Sequence, residues 1–130
     1  MQVSYKNLFI FISAANEYIY NNADLESKLI LALRKFIKQA ESVIGIYNDR
    51  LSDIRIEYAA VDPVSKVLLK DATGYCYTKE GQKKLRDDVA KLNEQMVEVV
   101  SVNLRQSEMP NNLTAAQKEL FADFVEVIAE

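Results

Sequence analysis

A chain of 130 residues, 49% hydrophobic and 27% charged, is long enough for one domain with a modest core and too apolar to stay disordered. Its formal charge of −3 and pI near 5.1 argue against a protein that coats nucleic acid, which needs a clustered excess of Lys and Arg to neutralise phosphates. With no histidine and one cysteine, Cys76, the chain lacks an internal disulfide and the usual zinc and haem ligand sets, which fits a reducing cytoplasm.

From the N-terminus, Leu8, Ile12, Ala15 and Ile19, with Phe11 and Tyr18 beside them, predict a helix over residues 5–20. The apolar run at residues 8–12 is too short to span a membrane and has no basic flank or cleavage site, so it reads as neither signal peptide nor membrane span. Asn21 to Asp24 break the pattern, and Asp24 is placed to cap the next helix. That helix is expected over residues 25–60, where Leu29, Leu33, Phe36, Ala40, Val43 and Tyr47 step by four and three as in a coiled-coil seam. The stripe then slips and continues through Leu51, Ile54 and Tyr58. Such a helix would be on the order of 50 Å long. A second apolar row, Ile30, Ile37 and Ile44, asks for cover from other helices or a second subunit, so a homo-oligomer is expected.

Asp62 and Pro63 stop the helix, and residues 64–78 read as a β-hairpin whose turn is Asp71-Ala-Thr-Gly74, with Gly74 free to take a positive φ. Thr78 can cap a helix over residues 79–97, whose stripe Leu85, Val89, Leu92, Met96 and Val99 marks the face that pairs antiparallel with the long helix. Alternation of Val100, Val102 and Leu104 with Ser101, Asn103 and Arg105 predicts a strand over residues 98–105, available to extend the hairpin. After a loop containing Pro110, the capping box from Thr114 to Gln117 opens a last helix over residues 114–129, with Leu120, Phe121, Phe124, Val125 and Ile128 as its apolar face. The fold class is therefore mainly α (α+β): an antiparallel long-helix pair, a small β-hairpin or antiparallel sheet, and a C-terminal helix, in a single domain.

Catalytic constellations are missing from this layout. The carboxylate pairs Asp87 and Asp88, Asp49 and Asp53, and Glu94 and Glu98 fall on polar helix faces, with nothing apolar placed to split their pKa values. Without histidine, a serine or cysteine nucleophile has no ordinary activating base, and Cys76 reads as a small packed residue. Gly45, Gly74 and Gly81 build no phosphate-cradling loop. Basic residues cluster at Arg34, Lys35 and Lys38, and again at Lys79, Lys83, Lys84 and Arg86; on helices rich in Asp and Glu such residues are usually solubilising. The second cluster adjoins a helix N-terminus and two tyrosines, so Tyr75, Tyr77, Lys79 and Lys83 form the candidate ligand site, able to stack a planar group and meet an anion.

The order of a long helix ending in Glu57-Tyr-Ala-Ala60, a hairpin from Asp62 to Tyr75, the segment from Tyr77 to Leu85, a short strand at Val97 to Val99, and Pro110 with Leu113 and Thr114 before a closing helix resembles that of small accessory proteins of tailed bacteriophages. The resemblance is one of architecture, covers most of the chain from Leu25 onward, and transfers no site residues. It implies a morphogenesis factor or an inhibitor of host defence, a group that includes oligomeric proteins sequestering nucleotide messengers. The expectation is a non-catalytic, cofactor-free, self-associating binding protein of the host cytoplasm, acting on a small anionic ligand or a host protein. The alternative is an assembly factor working through protein contacts alone.

Overall fold

The computed structural model describes residues 1–23 and 26–130, running β1 (Gln2–Ser4), α1 (Tyr5–Asn21), α2 (Lys28–Tyr58), β2 (Lys70–Asp71), β3 (Gly74–Tyr75), α3 (Lys79–Glu94), β4 (Met96–Glu98), β5 (Val102–Arg105), α4 (Ala115–Ala122) and β6 (Val125–Ile128). The mainly α (α+β) class is as expected from the sequence. These elements gather into two compact units, Met1–Ser42 with Met96–Glu130, and Val43–Gln95.

In the first unit, the buried Ser4 opens α1 by accepting the Asn7 amide on its hydroxyl at 3.1 Å, which satisfies one of the helix's orphan donors. The face that α1 buries is centred on Leu8, Phe11, Ala15 and Tyr18, whereas Ile12 and Ile19 are half-buried, so the stripe is rotated toward the aromatic residues. Phe11 is the hub: Phe124 stacks on it at 4.1 Å between centroids, and Phe36 and Phe121 meet it edge-on at 5.0 and 5.5 Å. Leu29, Ile30, Leu33, Phe36 and Ala40 of α2 complete this core. Ile30, 1% exposed, is covered within the single chain, so that part of the second apolar row needs no partner.

The start of α2 differs from expectation. The proposed cap Asp24 and the first expected helical residue, Leu25, lie outside the described residues, while the Ser27 hydroxyl accepts the Ile30 amide at 3.2 Å and α2 begins at Lys28.

The C-terminal third departs further. The strand expected over residues 98–105 is two strands, and neither extends the hairpin. β4 pairs antiparallel with β1, setting Val97 opposite Val3, while β5 pairs in parallel with β6, setting Val102 opposite Val125 and Leu104 opposite Val127. The expected helix over residues 114–129 stops at Ala122. Its Thr114 and Gln117 capping box forms as expected, but Val125, Val127 and Ile128 are β-branched and run as β6. Parallel strands need a crossover, and α4 supplies it between β5 and β6. The remaining expected helix, over residues 79–97, ends at Glu94, because Gln95 turns extended and Met96 enters β4.

In the second unit, the Tyr47 phenol donates to Asn93 Oδ1 at 2.6 Å, and the Tyr58 carbonyl lies 3.0 Å from where a Cβ on Gly81 would sit. Rising numbers on α2 thus meet falling numbers on α3: the pair is antiparallel, as the seam predicts. Its hairpin is shorter than expected, with two residues in each strand, and Gly74 takes φ 123° at the turn.

Candidate functional site

The connection between α2 and α3 is a tight knuckle. Its backbone closes a ring of three hydrogen bonds, from the Ala60 amide to the Cys76 carbonyl at 2.8 Å, from Cys76 to Leu69 at 2.9 Å, and from Leu69 to Ala60 at 2.9 Å. Beyond the ring, Asp62 Oδ1 accepts the Val64 and Ser65 amides at 2.9 and 2.8 Å, an Asx turn that carries Lys66 at φ 62°. These bonds hold the Asp62 carboxyl below its ordinary range. The organised loop nevertheless presents aliphatic side chains to solvent: Val64 is 91% exposed and Val67 62%.

All four residues of the sequence-derived site lie in this unit, but with separate tasks. Tyr75 has Lys70 Nζ over its ring, 4.9 Å from the centroid, so that face already carries a cation. Tyr77 is half-buried and donates its phenol to the Arg55 carbonyl at 2.9 Å, fastening the knuckle to α2. Lys79 and Lys83 are exposed on the first turns of α3, where Thr78 accepts the Gly81 amide and Lys84 pairs with Glu80 at 3.3 Å. Cys76 is half-buried and its thiol donates to Asp71 Oδ2 at 3.7 Å; burial, then the Asp71 charge and that bond, push its pKa up, away from nucleophilic thiolate character. Of the carboxylate pairs, Asp88 accepts the Tyr58 phenol at 2.6 Å and Glu98 holds the N-terminal amine at 2.8 Å.

The unit also holds a different concavity. Between α2 and α3 lies an open groove of about 510 Å³, lined by Tyr47, Leu51, Arg55, Gln82, Leu85, Arg86 and Val89 and by none of Tyr75, Tyr77, Lys79 or Lys83. Its floor is the apolar seam, and Leu92 is the unit's one buried side chain among the described residues. The sequence reading placed Arg86 in a solvated cluster and passed over Arg55. Neither has an acidic residue three or four positions away on its helix, but Arg34, Lys35 and Lys79 share that trait, so spacing alone does not single the two out. In the first unit, a recess of about 450 Å³ opens beside Met109, Leu113 and Phe121.

Among the described residues, no group of three or more His, Cys, Asp or Glu side chains is placed to hold a metal ion, and no helix is long and apolar enough to cross a membrane. No protein-family model, curated protein or solved structure matches the chain. Fold and groove together describe an α+β protein whose second unit is a knuckle-tipped antiparallel helical hairpin with an open seam.

Proposed function

We propose that this protein is a non-catalytic binding protein that acts through protein contacts made by its helical hairpin, Val43–Gln95. The observation that carries this reading is a heptad-spaced seam left half-open along a groove with a cationic rim, in a unit whose tip also exposes Val61, Val64, Val67 and Leu69. Exposed aliphatic side chains on a well-bonded loop present a contact surface that loses little conformational entropy on docking. With the architectural resemblance, the setting is a phage-encoded protein in the host cytoplasm that inhibits a host protein or assists assembly. Nucleotide sequestration at Tyr75, Tyr77, Lys79 and Lys83 is the weaker reading, because Tyr77 is spent on Arg55 and one face of Tyr75 on Lys70.

Site-specific photo-crosslinking in a bacterial cytoplasm tests the choice. Benzoylphenylalanine at Val64 or Gln82 is expected to give a discrete protein adduct, and at Lys118, in the other unit, none. A nucleotide released by heating the purified protein, with no adduct at either hairpin position, would overturn the contact reading.

A further inference from the structure

Deepening that reading and resting on it, we infer that the groove between α2 and α3 is a docking site for an acidic amphipathic helix of a partner protein. Two antiparallel helices bury their facing rows only in part, and a third helix laid in the groove between them completes the packing. Here the uncovered row is Leu51 on α2 with Leu85 and Val89 on α3, all half-buried. From Tyr47 to Arg55 the groove runs for about 12 Å at the helical rise, two turns of an incoming helix and room for anchors at i, i+4 and i+7.

Charge selects the occupant. Arg55 and Arg86 both line this groove, and no carboxylate lines it with them. Neither guanidinium forms an ion pair among the described residues. Asp88, the half-buried carboxylate of α3, is engaged by the Tyr58 phenol. A planar guanidinium grips a carboxylate with two parallel N–H donors, and at the edge of an apolar floor such a pair is partly shielded from water. The groove therefore favours a helix whose aliphatic stripe is flanked by Glu or Asp, and disfavours one flanked by Lys. A second copy of this groove would bring four arginines together without an acid among them, so charge also argues against groove-to-groove pairing of the chain with itself.

The probe is a fluorescein-labelled three-heptad peptide with Leu at the seam positions and Glu beside them, titrated by anisotropy with the full chain, alongside the same peptide with Lys in place of Glu. The Glu peptide is expected to bind saturably and at least tenfold more tightly than the Lys peptide, with the difference shrinking as salt rises. The double variant R55E/R86E is expected to invert the preference, and R55Q/R86Q to abolish it, with helicity by circular dichroism unchanged in both. Equal binding of the two peptides, no saturable binding of the Glu peptide, or a preference untouched by R55Q/R86Q would overturn the inference. So would concentration-dependent dimerisation lost in R55Q/R86Q, which would make a second copy the occupant. Adducts at Val64 and Gln82 without Glu-peptide binding would leave the contact function standing and remove only this assignment.

Discussion

The Tyr58 phenol donates to the Asp88 carboxylate across 2.6 Å, tying the last residue of α2 to α3. Ionising the phenol would set two negative charges at hydrogen-bond distance. The bond to Asp88 first, then desolvation, then the charges of Asp88 and Glu57, push its pKa from the ordinary 10.0 up to about 12. A phenol raised in the folded chain contributes stability that is fully present below pH 10 and is lost as pH climbs toward 12. Ultraviolet titration of wild type minus Tyr58→Phe should show one tyrosine ionising about two units late, and Asp88→Asn should bring it back toward 10. An Asp88→Asn variant that leaves the late transition in place would dissociate the shift from this bond.

Phe36 is 3% exposed and meets Phe11 edge-on at 5.0 Å. Phe36→Ala removes that contact and leaves a cavity in the aromatic cluster, at a cost of about 3–5 kcal/mol. Ile46, 58% exposed on the same helix, serves as the contrast: Ile46→Ala should stay within about 0.5 kcal/mol. Urea denaturation of both variants measures the difference, and similar losses would mean that packing density is not what separates the two ends of α2.

Phe36 belongs to a pattern that was open in the sequence. Leu29, Leu33 and Phe36 are buried at helical spacing, Thr78 and Thr114 cap where their chemistry says they should, and Gly74 turns the hairpin. What failed was pairing and extent. Val125 and Ile128 fit a helical face behind Phe121 and Phe124 as well as they fit a strand, and only the parallel partner β5, reached across α4, decides between the two. Likewise, Met96 and Val97 of β4 fit the end of the third helix's apolar stripe, and only the partner β1, at the other end of the chain, draws them into a strand. The candidate site was read from adjacency along the chain, two tyrosines and a lysine cluster beside a helix N-terminus; that Tyr77 is occupied depends on where α2 ends, which no periodicity reports. Arg55 and Arg86 have no acidic residue three or four positions away, but neither do Arg34, Lys35 and Lys79, and only the groove sets the two apart.

The thiol of Cys76 is expected to be sluggish. Burial and the adjacent Asp71 carboxylate both disfavour the thiolate, so alkylation by iodoacetamide at pH 8 should be slower in the folded protein than in the urea-unfolded chain. Asp71→Asn, whose amide oxygen can still accept from Thr73, should speed the folded reaction by removing the charge. A folded rate equal to or above the unfolded one would show that neither influence holds the proton on sulfur.

The last prediction concerns how the knuckle is fixed to α2. In an uninterrupted helix the Arg55 carbonyl would accept from the Ala59 amide, but Ala59 donates to Ile56 at 3.3 Å and Ala60 donates across to Cys76 at 2.8 Å. The Arg55 carbonyl lies in this last turn, where the helical bonding gives way, and it accepts the Tyr77 phenol at 2.9 Å. Tyr77→Phe keeps the ring and removes only this donor, so it should cost about 0.5–1.5 kcal/mol, with faster amide exchange at Ala60 and Cys76, where the ring of backbone bonds closes. Tyr77→Ala also removes the half-buried ring and should cost more. Tyr75→Ala, which loses a surface cation–π contact, should cost less than Tyr77→Ala and leave exchange at Ala60 unchanged. If Tyr77→Phe matches wild type in both denaturation and exchange, the phenol is not a fastener, and Tyr77 returns to the ligand-facing role that its sequence neighbours suggest.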